Sequence, residues 1–193
     1  MKKLVLLLST FFFLLAACTP KATAIPPSTT PQTLTVLTHD SFAVSEDVVK
    51  AFEAANHAKI NFLKGGDAGA ALNKVVLTKG APLADVFYGV DNTFLSRALQ
   101  ADIFEPYDSP SLKNVSSDFK LDSSKRALPV DYGDVCINYD KKYFADKNLA
   151  VPQSLEDLTK PDYKGLLVTE NPATSSTGLA FMLATIAHYG DSF

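Results

Sequence analysis

The chain has 193 residues, of which 18 are Lys or Arg and 21 are Asp or Glu, so its formal net charge is −3. Its residues are 47% hydrophobic and 20% charged, a balance typical of a globular protein rather than of a disordered one. A slightly acidic chain lacks the positive surface that nucleic-acid binding requires, so we expect no nucleic-acid partner.

The N-terminus has the pattern of an export signal. Two lysines precede an apolar run that ends at Ala17 and is shorter than the roughly 20 residues that span a bilayer, which predicts a signal peptide over residues 1–17. The run leads into Leu-Ala-Ala-Cys, which resembles the bacterial lipobox. We therefore predict lipidation of Cys18 and anchoring at the cell membrane, on the periplasmic or extracellular side. A soluble secreted protein with an incidental cysteine is the alternative.

The segment after the signal peptide is predicted to be a flexible tether. Residues 18–33 are rich in Pro, Thr, Ser and Ala and have too few apolar side chains for a core, which indicates a flexible tether. With Cys18 assigned to lipid, Cys136 has no partner, so no internal disulfide is expected. Cys136 lies in an apolar alternation, which predicts a small buried side chain rather than a nucleophile.

Strands and helices alternate from Leu34 onward. Strands are predicted at 34–38, 59–64 and 84–90, and each precedes a segment with apolar residues at three- and four-residue spacing. Ser45 and Asp67 are placed to cap the first two helices. Short links between alternating elements predict an α/β fold with mainly parallel strands.

Polar residues follow the first and third predicted strands. His39-Asp40-Ser41 comes after one strand and Asp91-Asn92 after the other, and ligands of parallel sheets bind at the carboxyl ends of strands. The first group resembles a fragment of a hydrolase triad. Adjacent side chains on a strand point to opposite faces, however, and no G-x-S-x-G elbow is present, so we expect no catalytic residues.

Carboxylates recur at the ends of the predicted strands. Asp40, Asp91 and the pair Asp131-Tyr132 combine negative charge with an aromatic face, which suits a cationic ligand. Turn-forming aspartate is the alternative explanation. The three histidines lie far apart in the sequence without metal-ligand spacing, so no metal site is predicted.

Fewer regular elements are predicted in the second half of the chain. The extended run 127–140 is suited to cross between two lobes, a capped helix is expected near Ser154, and a strand is expected at 165–169. A helix is predicted from about Thr177 to His188, with a glycine at its end. Apolar residues cover most of its circumference, which predicts a buried helix.

A hydroxyl-rich loop, Thr174 to Gly178, begins that helix. Free backbone N–H groups, the helix dipole and the side-chain hydroxyls together suit a phosphate or carboxylate. Ordinary helix capping explains one hydroxyl and is the alternative.

Five stretches follow one another in a familiar order: LTVLTHDSF (34–42), ADVFYGVDNTFL (84–95), LPVDYG (128–133), NPATSSTGLAF (171–181) and YGD (189–191). Together they resemble the substrate-binding lipoproteins of bacterial ABC importers. Within that family they are most similar to thiamine-binding members of the type with two crossover strands.

The resemblance implies a two-lobe α/β fold with mainly parallel sheets that closes on its ligand like a periplasmic binding protein. It places the first lobe at 34–127, a crossover strand at 128–139 and a second, incomplete lobe at 140–193. A protein of this type needs about twice the residues available after the tether, so the resemblance implies truncation at the C-terminus.

The resemblance also implies binding rather than enzyme activity and no cofactor. The expected partners are thiamine or a thiamine phosphate, an ABC permease with its ATPase, and the membrane through the lipid anchor. A ferric-ion or polyamine binder of the same fold, a secreted hydrolase using Ser41 or Ser175, and a structural lipoprotein are the alternatives. The expected ligand-binding residues are Asp40, Ser41, Asp91, Asn92, Asp131, Tyr132, Ser175, Ser176 and Thr177.

Overall fold

The computed structural model describes residues 30–190. The predicted signal peptide, the predicted lipidation site Cys18 and most of the predicted tether lie outside these residues. From Gln32 onward the chain forms one compact unit. No helix among the described residues has the length and apolar character needed to cross a bilayer.

The described residues contain a three-stranded parallel sheet in the order β2-β1-β3. Its strands are β1 (Gln32–Thr38), β2 (Ala58–Lys64) and β3 (Val86–Tyr88). Thr38 pairs with Lys64 on one side and with Tyr88 on the other, so the carboxyl ends of all three strands meet at one edge. The predicted parallel pairing is confirmed. β1 begins two residues earlier than predicted, so the end of the predicted tether belongs to the sheet.

A helix follows each strand, as the periodicity predicts. These helices are α1 (Glu46–Asn56), α2 (Ala68–Leu77) and α3 (Leu95–Gln100). Ser45 and Asp67 are the N-cap residues of α1 and α2, and the Asp67 carboxylate accepts a hydrogen bond from the backbone N–H of Ala68 at 2.7 Å. The Asp67 contact satisfies one of the free N–H groups at the start of α2.

The second half contains two α-helices, α4 (Lys141–Asp146) and α5 (Ser176–Tyr189), among the residues described. The prediction of a capped helix near Ser154 is wrong. The described residues form only short 3₁₀ turns there, at Asp157–Thr159 and Pro161–Tyr163. Residues 165–169, predicted as a strand, are irregular, since a strand needs a neighbour to bond and none of the described strands lies beside this run. The helix prediction over 177–188 is confirmed.

The core is a small cluster formed by Ala68, Leu72, Phe94 and Ala98, with Leu179 of α5 packed against it. The rest of α5 does not follow the sequence prediction: Gly178 is its one buried residue among those described. Cys136 is also exposed rather than buried. Both predictions were wrong for one reason. Apolar spacing shows which face can be buried, and the packing of other elements decides whether it is.

Thr38 at the end of β1 is a candidate for stabilisation. Its side chain is fully buried and its hydroxyl has no hydrogen-bond partner among the described residues. A buried polar group without a partner costs about 1–3 kcal/mol. Because valine has nearly the same shape, we expect T38V to raise the free energy of unfolding by about 1 kcal/mol in urea denaturation. T33V, at an exposed position of the same strand, should change it little. A less stable T38V would contradict the prediction.

Candidate functional site

The carboxyl edge of the sheet is shaped by Lys64, the last residue of β2. Its Nζ donates hydrogen bonds to the backbone carbonyls of Asp40 at 2.9 Å and Phe42 at 2.6 Å. It also lies 5.7 Å from the centre of the Phe42 ring, a cation–π distance. Lys64 therefore fixes the loop after β1, where the sequence places Asp40 and Ser41.

Asp40 binds the turn that follows β2. Its backbone N–H donates to the Gly66 carbonyl at 2.9 Å, and its carboxylate accepts from the Gly66 N–H at 3.0 Å. Both Asp40 and Ser41 are exposed. The predicted ligand residue Asp40 thus has a structural contact, and it holds two loops of the carboxyl edge together.

Four rings form what we call the aromatic cluster: His39, Phe42, Phe62 and Tyr88. The His39 ring stacks on Tyr88 with centroids 5.7 Å apart, and Phe42 lies 5.0 Å from Tyr88 and 5.5 Å from Phe62. The cluster lies where β1, β2 and β3 end. Aromatic ring faces at the carboxyl edge of a parallel sheet suit stacking with a flat or cationic group.

Asp131 joins this cluster through Tyr88. The Tyr88 hydroxyl donates to the Asp131 carboxylate at 2.5 Å. This hydrogen bond, together with partial burial, raises the pKa of Tyr88 to about 12, so the hydroxyl stays protonated and continues to donate at neutral pH. The contact places a carboxylate beside the aromatic cluster, and no local pattern indicates it, because Tyr88 and Asp131 lie 43 positions apart in the sequence.

Three other predicted residues lie in different surroundings. The Asp91 carboxylate accepts hydrogen bonds from the Thr93 N–H at 3.0 Å and from the Thr93 hydroxyl at 2.6 Å, so it stabilises the turn that leads into α3. Asn92 is exposed beside it. Tyr132 stacks on Phe119 with centroids 4.9 Å apart, rather than on the aromatic cluster.

The hydroxyl loop, residues 174–178, already binds a carboxylate of the chain itself. The buried Ser175 hydroxyl donates to Glu170 at 2.5 Å, and the Thr177 hydroxyl donates to the same carboxylate oxygen. Ser175 also caps α5, since its Oγ accepts from the Gly178 N–H at 3.3 Å. The third predicted hydroxyl residue, Ser176, begins the helix and is half-buried.

Glu170 was not among the predicted site residues. The signal available in the sequence is an acidic residue just before the turn that leads into a hydroxyl-rich loop. Hydrogen bonds from Ser175 and Thr177 hold the pKa of Glu170 below its ordinary value, so the carboxylate is charged at neutral pH. Two hydroxyls of the loop thus donate to a carboxylate of the chain itself, and binding of an external anion there stays a prediction.

The start of α2 connects the two sets of loops. Gly69 lies three residues after Gly66, which Asp40 contacts. The Gly69 N–H donates to the Thr174 carbonyl at 2.9 Å. A Cβ at Gly69 would lie 3.0 Å from that carbonyl oxygen and 2.8 Å from the Phe94 ring. Close backbone approach at Gly69 thus brings the hydroxyl loop next to the carboxyl edge of the sheet.

An open groove of about 640 Å³ lies beside the hydroxyl loop. Its walls come from the segment 135–140, the run 165–170 and the first half of α5, and Glu170 and Thr177 contribute polar groups to it. Among the described residues, no group of three or more His, Cys, Asp or Glu side chains is arranged to hold a metal ion.

The comparisons with known proteins agree with this architecture. Residues 81–192 match the profile of a family described as bacterial extracellular solute-binding protein, and the chain belongs to that family. A solved periplasmic thiamin binding protein superposes with a TM-score of 0.62 at 27% identity, covering 86% of this chain and 51% of that one. The parallel sheet is thus part of the fold that periplasmic binding proteins share.

Among the curated proteins that the chain resembles are thiamine-binding periplasmic proteins. The chain is 31% identical to the thiamine-binding periplasmic protein of Salmonella typhimurium over 191 residues, covering 96% of this chain and 54% of the relative. It is also 31% identical to the protein of that name from Brucella suis over 173 residues, covering 86% and 49%. The chain spans about half the length of the curated relatives it matches.

Proposed function

We propose that this chain serves in a bacterial ABC importer as a substrate-binding component that captures thiamine or a thiamine phosphate ester. In this proposal the loaded protein delivers its ligand to a membrane permease driven by an ATPase. The 31% identity to thiamine-binding periplasmic proteins supports the choice of ligand. The export signal and Cys18 support an exported protein that is anchored to the membrane by lipid.

The contact between Tyr88 and Asp131 carries the proposal. Thiamine has a fixed positive charge on its thiazolium ring and a second, neutral aromatic ring. A carboxylate held 2.5 Å from a tyrosine hydroxyl, at the border of the aromatic cluster, offers charge pairing and ring stacking in one place. In this proposal the Asp131 carboxylate pairs with the positive charge of the thiazolium ring, and the aromatic ring of Tyr88 offers a face for stacking.

The same surroundings favour binding over hydrolysis. His39 stacks on Tyr88, and the Asp40 carboxylate accepts from the Gly66 backbone, so this His-Asp-Ser sequence does not have the contacts of a catalytic triad. A binding protein of this kind works by a population shift: ligand favours the closed form only as far as it binds that form better.

The test is a calorimetric titration of the full chain with thiamine. We expect saturable binding by the natural chain and about tenfold weaker binding by D131N, because that variant keeps the shape of Asp131 and loses its charge. The amide oxygen of the D131N side chain can still accept the hydrogen bond from the Tyr88 hydroxyl, so the melting temperature should change little.

D146N is the matched control. Asp146 is an exposed residue of α4 that pairs with Lys142, so this variant removes the same charge away from the aromatic cluster. Its thiamine affinity should equal that of the natural chain. No saturable thiamine binding by the natural chain, or equal losses in the two variants, would contradict the proposed function.

A further inference from the structure

The first turn of α5 holds an internal anion. One oxygen of Glu170 accepts hydrogen bonds from the hydroxyls of Ser175 and Thr177, and these two hydroxyl oxygens lie 3.0 Å apart. Each hydroxyl has a single proton to donate. The two donors that would recognise an external phosphoryl oxygen are therefore already engaged.

The backbone keeps Glu170 in this position. A Cβ on Gly178 would lie 2.4 Å from the Glu170 carbonyl oxygen, so the main chain at position 170 packs directly on the first turn of α5. Ser175, whose hydroxyl donates to Glu170, is only 1% exposed, so its side chain has little room to turn elsewhere. The carboxylate itself is near the surface, and a ligand in the groove would meet its negative charge.

We propose that Glu170 determines ligand specificity by occupying the hydroxyl loop, so that the site prefers an uncharged alcohol end to a phosphorylated one. This inference rests on the proposed function, because it assumes that the polar end of a thiamine-type ligand approaches the loop. A phosphoryl group there meets the carboxylate as a like charge and finds the hydroxyls engaged, whereas a ligand hydroxyl donates to the other oxygen of the Glu170 carboxylate. Such discrimination acts through repulsion of the wrong ligand.

The experiment measures two dissociation constants, for thiamine and for thiamine monophosphate, by calorimetry on the full chain. In E170Q the amide oxygen still accepts from the hydroxyls while the charge is gone. We expect the ratio of the monophosphate Kd to the thiamine Kd to fall by about tenfold, chiefly through tighter binding of the monophosphate. E170A, which removes the acceptor as well, is measured in parallel and should change the ratio in the same direction.

E156Q is the matched control. Glu156 pairs with His188 at the other end of α5, with 2.7 Å between the carboxylate oxygen and the ring nitrogen, so this variant changes the net charge equally. An unchanged ratio in both Glu170 variants, or an equal fall in E156Q, overturns the inference.

Inorganic phosphate separates this inference from the proposed function. If the natural chain binds neither thiamine compound, the proposed function fails, and phosphate still tests Glu170. Phosphate binding that is measurable in E170Q and absent in both E156Q and the natural chain supports the role of Glu170. Equal phosphate affinity in all three proteins, or none in any of them, overturns it.

Discussion

Replacement of Leu72 by alanine is expected to lower the free energy of unfolding by about 3 kcal/mol. Leu72 lies in the middle of α2, is completely buried, and contacts the cluster formed by Ala68, Phe94 and Ala98. Removing three carbon atoms there loses their transfer free energy and leaves a cavity that the small neighbouring residues cannot fill. Urea denaturation followed by circular dichroism measures the change.

L77A provides the comparison on the same helix. Leu77 is 85% exposed, so the same chemical change removes almost no buried surface. We expect its free energy of unfolding to remain within about 0.5 kcal/mol of that of the natural chain. Equal effects of the two substitutions would show that the cluster around Leu72 does not stabilise the fold.

The second large effect is expected from G178A. A methyl group at this position would lie 2.4 Å from the Glu170 carbonyl oxygen and 2.8 Å from its carbonyl carbon. Both are backbone atoms, so the contact is relieved only if the segment before the hydroxyl loop moves away from α5. We expect a loss of about 2 kcal/mol in the free energy of unfolding, as for other overpacked sites.

The same movement should separate Glu170 from the hydroxyls of Ser175 and Thr177. Shifted or broadened backbone amide signals for residues 170–178 in nuclear magnetic resonance spectra would report this movement. G80A is the control, because a Cβ at Gly80 meets nothing within 4 Å. If G178A is as stable as G80A and has unchanged spectra, the close packing of Glu170 on α5 is incorrect.

The parts of the fold that follow from local chemistry were predictable from the sequence. The strands near 34–38, 59–64 and 84–90, their parallel pairing, and the cap at Asp67 all result from short-range patterns. So does the meeting of the loops after β1 and β3 at one edge, because the direction of a strand fixes which loop lies at its carboxyl end.

The contacts within the site were less predictable. The hydrogen bond between Tyr88 and Asp131 joins residues 43 positions apart, and no local pattern encodes it. Glu170 is not predicted as a site residue, because a hydroxyl-rich loop at the start of a helix predicts a site for an external anion and does not indicate an internal one. The exposed Cys136 and the exposed side of α5 show the same limit, since burial depends on long-range packing.

The hydrogen bond from Gly69 to Thr174 also affects the order of folding. It connects two backbone groups more than a hundred positions apart, so forming it costs more loop-closure entropy than pairing the strands of the sheet does. The sheet and its first helices depend on much nearer neighbours and can form earlier. The hydroxyl loop should therefore be among the last parts to acquire its native position, and ligand selectivity should appear later in refolding than secondary structure.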